Sequence, residues 1–280
     1  MYNAFCPTVI LLPPRGADFE RWSVFDFRET LNCTEQIEKA ERFIGEAPSA
    51  LHCNVPQARL RSLVPSQTVR VNTAMRNYLY NYIESVPFGM TAVERTGADG
   101  KTRRSIVCAL DLDEYDYKPE ADVPVRCGEN IDMKLVDSRV HIRAGAPIEF
   151  SCAVILIDGE RKVTDGVTHD SRPLYDFSLY DCGDRIVGYG IDTDECERLR
   201  EEISSLAPDR IKVAVGQNEL AAAKEWWEYV KKNLPESEKK THAARYALIE
   251  LADLADGDVY GDIRYCVEAR RLKNDGELTV

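Results

Sequence analysis

The chain has 280 residues, of which 44% are hydrophobic and 30% charged, and its 36 Lys and Arg against 48 Asp and Glu leave a net charge of −12. This composition excludes intrinsic disorder and is that of a soluble globular protein with a sizeable core. The acidic balance disfavours sequence-independent nucleic-acid binding and docking on anionic membranes, and the longest apolar run, Ala153 to Ile157, falls far short of the roughly 20 residues of a membrane-spanning helix.

In chain order, Thr8 to Leu12 reads as a buried strand stopped by Pro13-Pro14, and Trp22 to Phe27 as a second. Asn32 with Glu35 has capping-box spacing and opens a helix that runs to Gly45, whose glycine suits a C-terminal stop. Ser66 to Ser85 is amphipathic: Val71, Met75, Tyr78, Leu79, Tyr82 and Val86 fall on one face at helical spacing. The middle reads as β. Met90 to Arg95 and Arg104 to Leu112 flank Gly97-Ala98-Asp99-Gly100, whose Asp-Gly is a turn signal, and Val140 to Arg143, Cys152 to Ile157 and Arg185 to Ile191 are further strand candidates. In the last third, Glu195 to Leu206 is helical, and Ile211 to Val215 is a short buried strand. That strand passes through Gly216-Gln217-Asn218 into a helix over Glu219 to Leu234. Ala244 to Leu251 is ambiguous in period and is read as a strand. The order predicts an α+β fold with mixed sheets and packed helices.

Nine cysteines are scattered without a C-x-x-C pair, and the four histidines make no H-x3-H or H-E-x-x-H pattern, so no metal site is expected. Cys108 sits inside an apolar run, where a reduced thiol acts as a small hydrophobe. Pro7, Pro13 and Pro14 interrupt any signal-peptide core, and a cytoplasmic location is expected. There is no P-loop and no G-x-S-x-G elbow.

Three segments could carry chemistry. The strand-to-helix junction Val215-Gly216-Gln217-Asn218 would expose backbone N–H groups and the positive end of a helix dipole, which suits a phosphate or carboxylate. Gly216 lets a ligand approach the backbone, and Asn218 is a good N-cap. The plainer reading is an ordinary α/β junction that binds nothing. Arg126-Cys127-Gly128-Glu129 places a carboxylate beside a guanidinium, as a catalytic base or a surface salt bridge. His242-Ala243-Ala244-Arg245 offers a His that is either an acid/base near neutral pH or a satisfied structural residue.

These segments resemble the bacterial and archaeal family of domain of unknown function 1015. The resemblance runs collinearly through Ile10-Leu11-Leu12-Pro13, Gly45 to Leu51, Val93 to Thr96, Ala109 to Leu112, Arg143-Ala144-Gly145-Ala146-Pro147-Ile148-Glu149, Leu156-Ile157-Asp158, Leu174-Tyr175-Asp176, Ala221 to Lys224 and His242 to Glu250. It covers nearly the whole chain and implies one unit over residues 1–280, with lobes at 1–160 and 161–280 as the alternative. The family's Asp-Gly-Asn-His or Asp-Gly-His-His signature is similar to one in free-serine kinases of the ParB/sulfiredoxin-like fold. The resemblance therefore implies such an element around residues 211–234. It also implies phosphoryl transfer from ATP, with Mg²⁺, to a small hydroxyl compound.

This chain departs at the signature. The family Asp falls on Val215, the Asn on Gln217 and the His on Asn218, and only Gly216 matches. Valine neither accepts a proton nor binds a metal, and asparagine does not titrate. Two readings stay open. One is a non-catalytic or diverged member that binds a nucleotide or small metabolite, with no nucleic-acid or membrane partner. The other is a small-molecule kinase with Glu129 as general base or metal ligand, in which Gly216 and Asn218 contact phosphate and Lys224 or Arg126 is the charge partner. Gln217, His242 and Arg245 complete the candidate ligand-binding set. The loss of Asp and His at one signature favours the first reading.

Overall fold

Short runs of consecutive apolar residues, such as Ile106 to Leu110 and Ala153 to Ile157, build the largest element of the fold. The structure, a computed structural model, describes residues 3–27, 33–118, 120–127, 131–150, 153–256 and 263–273. The first third contains β1 (Phe5–Cys6), β2 (Leu11–Leu12), α1 (Phe19–Trp22), β3 (Val24–Phe27), α2 (Cys33–Ile44), α3 (Gln57–Leu60), α4 (Pro65–Asn81), β4 (Glu84–Ser85) and β5 (Met90–Thr96). The middle holds β6 (Thr102–Asp111), β7 (Tyr115–Asp116), β8 (Val125–Cys127), α5 (Met133–Gly145), β9 (Ile148–Phe150), β10 (Ala153–Ile157), β11 (Tyr175–Ser178) and β12 (Arg185–Ile191). The last third has α6 (Thr193–Ser204), β13 (Ile211–Val215), α7 (Gln217–Lys231), α8 (Glu236–Lys239), β14 (Tyr246–Asp253), β15 (Ile263–Tyr265) and β16 (Ala269–Arg271).

Among the described residues, ten strands form one mixed sheet in the order β11-β12-β5-β6-β14-β10-β13-β8-β7, with β1 also pairing β6. The β10–β14, β13–β8 and β7–β8 pairs are parallel, and the others are antiparallel. Along β6, Ile106, Cys108 and Leu110 join one apolar cluster with Ile249 and Leu251 of β14, while Val107 joins a second with Leu248. The sheet is therefore buried on both faces. The first cluster includes Cys196 and Leu199 of α6 and Leu220, Ala223 and Trp227 of α7. The second includes Val71, Met75 and Leu79 of α4, with Leu11 and Ile148 from a smaller antiparallel sheet, β4-β2-β16-β9. Trp22 is fully buried there, and its indole N–H donates to the Val267 carbonyl at 2.9 Å.

The α+β architecture expected from the sequence is the one observed, and β12 and β13 have the expected bounds. Three expectations need correction. Val140 to Arg143, read as a strand, lies inside α5, which Asp132 caps by accepting from the Lys134 N–H at 3.0 Å. The Thr8 to Leu12 strand shortens to Leu11–Leu12, and Trp22 ends α1 rather than starting a strand. Asn32, expected to cap α2, lies outside the described residues.

Candidate functional site

The junction of β13 and α7 forms as the sequence suggests, with one change. β13 pairs β10 on one side, with Val215 opposite Val154, and β8 on the other. Gly216 then turns the chain into α7 with φ +82° and ψ 25°, and it, not Asn218, occupies the N-cap position. That left-handed conformation costs a residue with a Cβ about 1–2 kcal/mol, so the turn selects glycine over a side-chain cap. The Leu220 N–H bonds the Gly216 carbonyl at 2.9 Å. Gln217 folds back, its Nε2 donating to the Ala214 carbonyl at 3.1 Å. Asn218 reaches sideways: its Oδ1 accepts from the Asp132 N–H at 3.0 Å. Asp132 is itself the cap of α5, so one asparagine ties the starts of two helices together. Two turns along α5, Arg139 pairs with Glu219, the residue after Asn218 on α7, at 2.7 Å. Between them Val136 packs on Ala221 and Ala222.

The remaining candidates lie elsewhere. Arg126 is exposed on β8, in register with Lys212 of β13. Glu129 lies outside the described residues. Lys224 is two turns along α7 and buried, donating to the Leu112 carbonyl at 2.8 Å and pairing with Glu228 at 3.0 Å. Arg245 grips Asp111 with two guanidinium nitrogens, at 2.9 and 2.7 Å. His242 is buried: its Nδ1 accepts from the Ala244 N–H at 3.1 Å, and its ring stacks on Trp227 at 6.0 Å. The indole of Trp227 and the ammonium of Lys231 both donate to Asp113, at 2.8 and 2.6 Å. Burial works against ionisation of Asp113, but these donors outweigh it and hold its carboxyl below the ordinary range. Lys224, His242 and Arg245 thus belong to a network that fixes α7 to the end of β6, while Gly216, Gln217 and Asn218 share the junction.

Beside the junction is a cavity of about 80 Å³, reaching α7 at Glu219 and Ala222. Its apolar wall includes Phe25, Met75, Ile142 and Phe150, and its polar side is Arg139, Arg143 and Glu149 with Asn54. Glu149 is 8% exposed. It accepts from Arg143 Nη1 at 2.6 Å, from Arg270 Nη1 at 2.5 Å and from the Leu248 N–H at 3.0 Å. Two other guanidinium nitrogens of Arg143, Nε and Nη2, are buried without a hydrogen-bond partner. Arg143 and Arg270 therefore share one carboxylate, Glu149, on the polar side of the cavity. A buried donor left unpaired is costly, and the two remaining Arg143 nitrogens suit the cavity to an anion.

Sequence reasoning missed Arg139, Arg143, Glu149 and Glu219 as a group. The available signal was the i,i+4 spacing of Arg139 and Arg143, which places both on one helical face. Reading Val140 to Arg143 as a strand hid it. The described thiols offer no activated nucleophile in this region: burial pushes Cys53 and Cys108 well up, and Cys6 and Cys196 to about 11. No disulfide joins the seven cysteines whose side chains are described, and Cys33 and Cys152 carry no described side chain. Among the described residues no group of three or more His, Cys, Asp or Glu could hold a metal ion, and Val215 offers no ligand. No described helix is long and apolar enough to cross a membrane.

Comparison with known proteins gives one match. The family described as Protein of unknown function (DUF1015) matches residues 33–260. No curated protein and no solved structure matches the chain.

Proposed function

The chain belongs to the DUF1015 family, and on that premise we propose that it is a diverged member that binds a small anionic metabolite between α5 and α7 and does not transfer phosphate. The observation that carries this reading is the cavity beside the junction, where Arg143 keeps two buried donors unpartnered. The junction itself supports the non-catalytic half. Val215 stands where the family resemblance places Asp, and the polar side chains next to it are used structurally, Gln217 on the Ala214 carbonyl and Asn218 on the Asp132 N–H. A general base is worth about 10²–10⁴-fold in rate, so a chain without one at the signature keeps little of that chemistry. The small cavity favours a compact monoanion, such as a short carboxylate, whose apolar tail lies on Phe25 and Met75.

The test is a thermal-shift and calorimetry panel of short monocarboxylates, the matching amines, and ATP and ADP. At a ligand concentration of 100 times Kd the folded state gains about 2.7 kcal/mol, an upward Tm shift of several degrees. A monocarboxylate is expected to stabilise the wild type saturably and to lose that effect in Arg143→Lys, which keeps the charge but not the planar fork. Failure of every monoanion to bind, or equal binding by the Arg143→Lys protein, overturns the reading.

A further inference from the structure

We propose that the ligand of the cavity beside α7 carries a hydroxyl as well as its carboxylate, and that Asn54 selects it; the inference rests on the reading of that cavity as an anion site. Asn54 ends a single 3-10 turn, Ala50–Cys53, and its own N–H closes that turn on the Leu51 carbonyl at 3.2 Å. Ser49 caps the other end of the turn, its hydroxyl oxygen accepting from the Leu51 N–H at 3.3 Å. Asn54 is thereby held, 5% exposed, in the wall of the cavity.

Chemistry decides the orientation of its amide. Nδ2 donates to the Phe25 carbonyl at 3.1 Å. A carbonyl oxygen only accepts, so the amide nitrogen stands there and Oδ1 takes the other branch. Among the described residues nothing donates to Oδ1. A nearly buried acceptor without a donor is costly, and a ligand O–H or N–H satisfies it. On the same cavity Arg143 keeps Nε and Nη2, two buried donors without a partner. One ligand therefore meets a fork for a carboxylate and an acceptor for a donor group. About 80 Å³ holds about five to eight water-sized groups, the size of a four-carbon acid with one polar substituent. A hydroxyl suits the second position better than an ammonium. The carboxylates lining the cavity, Glu149 and Glu219, are already paired with Arg143 and Arg139, at 2.6 and 2.7 Å. An ammonium would lie among guanidiniums whose carboxylates are taken, whereas a hydroxyl brings a donor and no charge.

Calorimetry on the full chain compares butyrate, its 2-, 3- and 4-hydroxy derivatives, the fluoro analogue of whichever hydroxy acid binds best, and the matching amino acid. Fluorine is close to hydroxyl in size but donates no proton. The best hydroxy acid is expected to bind the wild type about tenfold more tightly than butyrate and than its fluoro analogue, the span of one well-made hydrogen bond to a buried acceptor. The amino acid is expected to bind more weakly than the hydroxy acid. In Asn54→Ala the tenfold preference is expected to fall to about twofold or less. Should Asn54→Ala fail to fold, the ratio of hydroxy acid to fluoro analogue in the wild type decides alone. Butyrate binding as tightly as every hydroxy acid, saturably and with loss in Arg143→Lys, overturns this inference and leaves the anion reading standing. A fluoro analogue equal to the hydroxy acid, a tighter amino acid, or a preference unchanged in Asn54→Ala overturns it too. Failure of all these acids to bind overturns the anion reading and this inference with it.

Discussion

Glu149 is the residue whose loss should reveal the charge arrangement most clearly. Its carboxylate is buried and accepts from two guanidiniums and one backbone N–H. Glu149→Gln keeps the shape and one acceptor oxygen but removes the negative charge, leaving Arg143 and Arg270 facing each other across a neutral amide. Breaking a buried ion pair from one side costs about 3–5 kcal/mol, and retention of an acceptor places this change near the lower end, about 3 kcal/mol. For a chain of this size that corresponds to a fall in Tm of roughly 5 °C. The assay is urea unfolding followed by the fluorescence of buried Trp22 and Trp227, with an unchanged m-value as the sign that both end states are preserved. Arg143→Met is the informative contrast. It removes one of the two cations that share Glu149 and leaves Glu149 paired with Arg270, so it should cost about 1 kcal/mol or less. A Glu149→Gln loss below about 1 kcal/mol, or an Arg143→Met loss as large as that of Glu149→Gln, refutes the charge accounting.

Three further outcomes follow from the geometry. Burial, with the nearby Glu250 carboxyl adding, raises Glu268 from 4.5 to about 7, despite the hydrogen bond from the Tyr175 hydroxyl. A carboxyl raised on folding stabilises fully below its unfolded pKa, and the contribution is lost as pH rises through the folded value. Stability should therefore decline between about pH 4.5 and 7, and Glu268→Gln should gain about 3 kcal/mol over the wild type at pH 8.5, read by urea unfolding across pH. Gly188 lies opposite Tyr175 in the β11–β12 pair, and a Cβ there would come within 2.1 Å of the ring. Gly188→Ala should thus cost about 2–3 kcal/mol and weaken the near-UV circular dichroism of the aromatic cluster. Arg245→Gln leaves Asp111 without its bidentate partner; it should cost about 3 kcal/mol in unfolding experiments and leave metabolite affinity unchanged, since Arg245 serves the network around β6 and α7.

Much of the fold was legible because local pattern and tertiary environment agree. β12 and β13 are short apolar runs bounded by polar residues, and Asp99-Gly100 turns the central hairpin with Gly100 at φ +77°. The period of β14 was unclear for a physical reason: it pairs both β6 and β10 and is buried on both faces, which erases alternation. In α5, Val140 and Ile142 alternate with His141 and Arg143 and mimic a strand, whereas Leu135, Val136 and Ile142 are the residues that the helix buries. At the junction the glycine was legible and its role was not. The usual preference for Asn at an N-cap gave way to the left-handed turn at Gly216, which left Asn218 to join α5. The arginine-lined cavity was out of reach of local reading because its ion pairs are distant in sequence, as with Glu149 and Arg270 or Arg139 and Glu219. Arg143 and Glu149 did lie together in a segment shared with the family, which marked the region without marking its chemistry.

The central claim is that this family member binds without transferring phosphate, and phosphorus NMR tests it most directly. The full chain is incubated with ATP, Mg²⁺ and L-serine beside a Glu129→Gln control, and phosphoserine is followed over time. The account predicts no phosphoserine above the control. Phosphoserine formed by the wild type and lost in Glu129→Gln would contradict it.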